Sequence, residues 1–121
     1  MAISTTSPVL PRRAEAFDSR VMEPGPAPFL TKQGILLLYN GADEHLVYGP
    51  GWALFDRKHP DQLIARSGSS FIRPMLEWEK TGQVPNVIFL EGLVGDLKSA
   101  SGYYGAADKY VGAMRINITV H

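Results

Sequence analysis

Glu91 has the setting that most invites chemistry, standing between Leu90 and Gly92 inside the apolar run Val87 to Val94. A carboxylate there is costly to desolvate unless it is paired or lines a wet cavity. In a wet cavity it is suited to moving a proton as a general acid or base. The alternative is a strand residue on a solvent face. Strict alternation, however, places Glu91 on the side of Phe89 and Leu93, both apolar. Glu23 precedes Pro24-Gly25-Pro26 and reads either as a second acid, base or ligand or as a solvated loop glutamate. Asn40 reads as a ligand or a turn residue. Asp18 and Arg20 are close enough in sequence to form a polar pair, whereas Arg66 and Arg73 read as connector residues.

Other chemistries lack their residues. There is no Cys, so a disulfide framework and a thiolate metal site are both excluded. His45, His59 and His121 lie far apart without metal-ligand spacing, and no metal or organic cofactor is expected. No Gly-rich phosphate loop or Ser-His-Asp pattern is present. Twelve basic residues balance twelve acidic ones, which gives no footing for a nucleic-acid or anionic-membrane partner. No stretch approaches the ~18 apolar residues of a membrane span. Met1 to Arg20 holds no apolar run of signal-peptide length, so a cytoplasmic protein is expected.

The elements that must position these residues are strands. Tyr39-Asn40-Gly41-Ala42-Asp43 recurs as Tyr104-Gly105-Ala106-Ala107-Asp108, each time after an apolar or aromatic stretch and before another strand-like run. Such a repeat marks a modular β architecture in which each unit covers its neighbour's apolar face. Three prolines in Pro24 to Pro28 force an extended path. Phe29-Leu30-Thr31 and Ile35 to Tyr39 read as a hairpin turning at Lys32-Gln33-Gly34. Ile35-Leu36-Leu37-Leu38 is apolar without alternation, as in a strand covered on both faces. Trp52 to Phe55 and Leu63 to Arg66 complete a four-stranded unit over about residues 23–66. A connector follows, with a helical turn at most over Met75 to Lys80, and a second unit spans about residues 86–121. The fold class is all-β.

The same residues carry a family resemblance. Phe17-Asp18-Ser19, Glu23 to Pro28, Gly34 to Gly41 and Gly51 to Asp56 are followed by Leu63 to Ser67, Pro85 to Gly92 and Tyr103 to Asp108. This ordered string, from about Val9 to Arg115, resembles the C-terminal half of glycoside hydrolase family 130. These are β-mannoside phosphorylases and hydrolases built on a five-bladed β-propeller. The resemblance implies that the chain forms about two blades and works on an oligosaccharide or glycoside. It implies that Glu91 is a general base activating water beside a sugar anomeric carbon. Asp108 and Glu23 become sugar ligands facing the central funnel, and Tyr104 or Tyr103 a stacking wall. Phosphorylases of the family tend to read Tyr-His-Gly where this chain has Tyr39-Asn40-Gly41. A neutral amide cannot supply a cationic phosphate contact. Inverting hydrolysis is therefore the expectation, with phosphorolysis as the alternative within catalysis and a non-catalytic carbohydrate-binding remnant as the alternative outside it.

The family's general acid is an Asp on an N-terminal blade, ahead of anything matched here, and Glu15 and Asp18 lie in the wrong motif context. A fragment of a longer protein is expected, unable to cleave glycosides alone. Uncovered blade edges would favour self-association.

Overall fold

The computed structural model describes residues 8–71, 88–96, 99–107 and 109–117. They form eight strands in two antiparallel sheets. The first sheet holds β1 (Val21–Pro24), β2 (Phe29–Leu30), β3 (Ile35–Ala42), β4 (Tyr48–Phe55) and β5 (Leu63–Arg66). β1 pairs with the Tyr39–Ala42 half of β3, and β2 with Ile35 and Leu36. The two are halves of one edge strand, parted by Gly25-Pro26-Ala27-Pro28, where the prolines have no N–H to give to a ladder. Gly25 still donates its amide to the Leu38 carbonyl at 3.2 Å. The five strands thus make a sheet four strands wide, as the sequence pattern predicts.

The Thr31–Gly34 turn closes the first hairpin. Thr31 Oγ1 accepts the Gly34 and Gln33 amides at 3.1 and 3.2 Å, while the Thr31 amide donates to the Gly34 carbonyl at 2.8 Å. Asp43 organises the next turn, its Oδ1 accepting the amides of His45 (2.9 Å) and Val47 (3.1 Å).

The second sheet is β6 (Ile88–Asp96), β7 (Ser99–Ala106) and β8 (Tyr110–Ile116), in that order. Gly95 turns the β6–β7 hairpin with φ 109°, a conformation that favours glycine. The helical turn expected over Met75 to Lys80 and most of the edge strand expected over Ile116 to His121 lie outside the described residues. No helix among the described residues is long and apolar enough to cross a membrane.

The apolar run of β3 is covered twice. Leu38 packs against Ile88, Leu90, Tyr104 and Ala106 of the second sheet. Tyr39, on the opposite face, packs with Phe17, Ala53 and Phe55. The two sheets stack face to face through the first of these clusters, as adjacent blades of a partial β-propeller. The repeated tyrosines both sit in the central strands of their sheets, β3 and β7, just before a hairpin turn.

Glycine lets the N-terminal segment lie flat on the first sheet. A Cβ on Gly51 would run into the Phe17 ring and stand 2.8 Å from Ser67 Oγ. Overpacking of this kind costs about 1–3 kcal/mol. We expect Gly51→Ala to lower the unfolding free energy by that amount in urea denaturation. An unchanged midpoint would show that Phe17 swings aside freely.

Candidate active site

Glu91 is exposed on β6, the first strand and the edge of the second sheet. The ladder between β6 and β7 shifts register there. Leu90 opposes Tyr104, Gly92 opposes Tyr103, and Glu91 is the extra residue between them. This bulge corrects the alternation expected from sequence. Beyond it the parity of the strand inverts, so Leu93 packs against the cluster that contains Leu90 rather than sharing a face with Glu91. Bulges re-aim side chains and recur beside active sites. The carboxylate leans over β7, with Oε2 3.8 Å from where a Cβ on Gly105 would stand.

Asn40 is fully buried on β3 and reaches the second sheet. Its Nδ2 donates to the Leu90 carbonyl at 2.9 Å, and its Oδ1 accepts the Leu90 amide at 2.7 Å. Both ends of the amide are used as a peptide group would use them. That pair of hydrogen bonds to backbone is the role the structure gives the residue expected to touch substrate. Glu23, exposed on β1, is the Cα partner of Asn40 across the β1–β3 ladder. Opposed Cα atoms in an antiparallel pair lie about 4.5–5.5 Å apart. Glu23, Asn40 and the Leu90–Glu91 step are therefore neighbours, although they come from three strands.

Tyr104 is buried in the cluster between the sheets, and Tyr103 is 48% exposed. Tyr104, expected among the substrate-binding residues, is instead a core residue between the sheets, and Tyr103 is the exposed ring of the pair. Asp108 lies outside the described residues. A cavity of about 260 Å³ is bordered by Leu10, Met22, Glu23, Pro24, Leu37 and Tyr39, so the edge glutamate Glu23 also lines this side. It is apolar and on the Tyr39 side of the first sheet, away from Leu90 and Glu91.

A second polar cluster occupies that Tyr39 face. Asp18, fully buried, accepts from Arg13 through Nε at 3.2 Å and Nη2 at 2.8 Å. Its Oδ2 also accepts from Arg66 Nη2 and from the Tyr39 hydroxyl, both at 2.6 Å. The expected Asp18–Arg20 pair is not formed, because Arg20 lies at the surface, 3.9 Å from Glu44. Arg13 goes on to the Ser67 carbonyl at 2.6 Å, and Arg66 to that of Pro11 at 2.7 Å. Burial pushes the Asp18 carboxyl up. Hydrogen bonds from Arg13 and Tyr39 and the charges of both arginines outweigh it, holding the group below the usual carboxylate range. For Tyr39, burial and the bond to Asp18 push the phenol up. With its acceptor sites filled, this cluster is an anchor for the N-terminal segment.

Comparison with known proteins decides the lineage. The model of glycoside hydrolase family 130, described as beta-1,4-mannooligosaccharide phosphorylase, matches residues 5–120. The chain belongs to glycoside hydrolase family 130. A beta-1,2-mannobiose phosphorylase of Thermoanaerobacter sp. (strain X514) is 38% identical over 100 residues, 83% of this chain and 33% of the relative. Among solved structures, the Listeria innocua beta-1,2-mannobiose phosphorylase in complex with beta-1,2-mannobiose superposes with TM-score 0.85. It is 30% identical and covers 89% of this chain and 31% of its own. Another similar structure is 39% identical, with TM-score 0.83, covering 90% of this chain and 33% of that one. It comes from work described as showing that the family 130 mannoside phosphorylases contain glycoside hydrolases that target β-1,2 mannosidic linkages in Candida mannan. The chain spans about a third of the length of the curated relatives it matches. Its enzymatic origin in a mannoside-active, propeller-like family is plain.

Proposed function

We propose that this chain forms one wall of the substrate site of an enzyme that breaks β-mannosidic linkages, with β-1,2-linked mannosides as the substrate class and phosphorolysis as the reaction. The observation that carries the site is the exposed Glu91 carboxylate, set at a bulge on the leading edge of one sheet, with Glu23 on the leading edge of the other opposite Asn40, whose amide holds Leu90. In a propeller such edges face the central channel. The three curated relatives are all phosphorylases acting on β-1,2-mannobiose or oligomannan, which supports this reaction. In it, a phosphate oxygen attacks the anomeric carbon as the bond to the leaving oxygen breaks and an acid protonates that oxygen. By family resemblance the acid is an Asp of another blade. Glu91 would then accept a hydrogen bond from a sugar hydroxyl.

One observation favours hydrolysis as a second reading. Two carboxylates flank the Asn40–Leu90 contact. The two arginines of the first sheet's other face, Arg13 and Arg66, are committed to Asp18. Glu91 would then activate water as general base. The reactions separate in a turnover assay of the protein containing this chain on β-1,2-mannobiose, with and without inorganic phosphate. Phosphorolysis requires phosphate and yields mannose 1-phosphate; release of free mannose at equal rate in phosphate-free buffer would replace it with hydrolysis. Glycan binding without turnover in either buffer would leave a binding module. Residues 1–121 alone are expected to show negligible turnover, since cleavage needs groups on both sides of the bond.

A further inference from the structure

We infer that Asn40 is the positioning residue for Glu91: from the first sheet it locks the bulge of the second, and thereby sets where the carboxylate points. The inference rests on the reading that Glu91 faces substrate. The aim of the Glu91 side chain starts from its backbone, which stands at the register shift between Leu90 and Gly92. That backbone is a bulge, and a bulge that slides by one residue turns the side chains it passes to the other face. Gly92, next in line, would tolerate such a slide. The β6–β7 ladder, closed by the turn at Gly95, sets the register of the hairpin, and a contact from outside it can fix which residue is extra.

Asn40 chooses. Its amide holds both the N–H and the C=O of Leu90, the residue immediately before the register shift, at 2.7 and 2.9 Å. The side chain is fully buried, so water does not compete for either bond. Gly25 closes the other side of the same carbonyl, because a Cβ there would stand 3.1 Å from Leu90 O and 2.7 Å from Leu38 O. Leu90 is thus gripped by Asn40 and crowded by Gly25, just past the end of β1, and Glu91 follows directly after it. Fifty residues separate Asn40 from Leu90, so the grip ties the position of the carboxylate to the stacking of the two sheets.

The test is a double-mutant cycle in the turnover-competent protein containing this chain, with Asn40→Ser and Glu91→Gln. A misplacement of about 1 Å at a reacting group costs on the order of 10²-fold in rate. Asn40→Ser is therefore expected to lower kcat about 10- to 100-fold with KM nearly unchanged, and to add no further loss in the Glu91→Gln background. Equal losses in both backgrounds, or a lower melting temperature with kcat intact, would overturn the positioning role while leaving Glu91 at the substrate. No effect of Glu91→Gln would overturn the reading beneath it and the inference together. Asn40→Gln, which keeps both amide groups one methylene further out, serves where the serine variant does not fold, with the same expected pattern. Hydrogen exchange provides a readout on residues 1–121 without turnover. The Leu90 amide should exchange slowly in the unsubstituted chain and markedly faster in the variant, with Tyr104 unchanged. Unchanged exchange at Leu90 would sink the lock.

Discussion

Replacing Asp18 by alanine is expected to destabilise the chain by about 3–5 kcal/mol, the usual effect of removing one partner of a buried ion pair. The carboxylate is fully buried, and the Arg66 side chain is 9% exposed, so alanine would leave a cation and a phenol facing each other without an acceptor. Asparagine is not a remedy. Its amide nitrogen would meet at least one of three donors that now converge on Asp18. Against a typical unfolding free energy of about 5–15 kcal/mol, either substitution removes a large share. Urea denaturation at neutral pH checks this, and a loss below about 1 kcal/mol would mean that water takes over the acceptor role. The same group sets an acid limit. The folded pKa of Asp18 is held below its unfolded value. Its contribution is therefore complete above the ordinary Asp value of about 3.9 and is lost as pH falls through the folded value. In the Asp18→Ala variant that part of the acid dependence should vanish.

Glu91→Gln is expected to have the largest effect on activity, and its size separates the two reactions. If Glu91 activates water, amide replacement removes a general base, whose contribution is about 10²- to 10⁴-fold. If it accepts a sugar hydroxyl in a phosphorylase, the loss is that of a charged hydrogen bond, about 1.5–3 kcal/mol, or roughly 10- to 150-fold in kcat/KM. Removing a negative charge beside incoming phosphate should then lower the KM for phosphate. Steady-state kinetics with both substrates varied distinguishes these outcomes. Unchanged kcat/KM in both would remove Glu91 from the site.

Much of the fold was legible because its signals are local. The two Tyr-x-x-Ala-Asp segments mark the central strands, and the unbroken apolar run of β3 correctly implied cover on both faces. Thr31 to Gly34 announced a turn. Less could be read of the site, because its decisive relations are long-range. Nothing near Asn40 in sequence indicates a bond to Leu90, and nothing near Asp18 points to Arg66, 48 residues away. Proximity suggested Arg20 instead, whose side chain turns to the surface. The bulge at Glu91 escaped a reading by alternation, since an inserted residue breaks the rule that would detect it. Burial of Asn40 against backbone also bears on its use as a sign of water over phosphate. Its amide is consumed in joining the sheets, so its neutrality speaks to their stacking first.

The repeat has a consequence for how this chain can change. Aligning Tyr39 with Tyr104 puts Asn40 and Gly105 in the same slot of two like strands. In one unit the slot is filled by an amide that grips the neighbouring sheet. In the other it is left open, and the Glu91 carboxylate lies over the space, 3.8 Å from where a Cβ would be. Symmetry is broken where the chemistry is proposed. Copying either unit's residue into the other would make the repeats more alike, and would remove the lock in one case or crowd the carboxylate in the other. Internal likeness, which elsewhere in this chain reinforces the fold, is at this slot incompatible with the site.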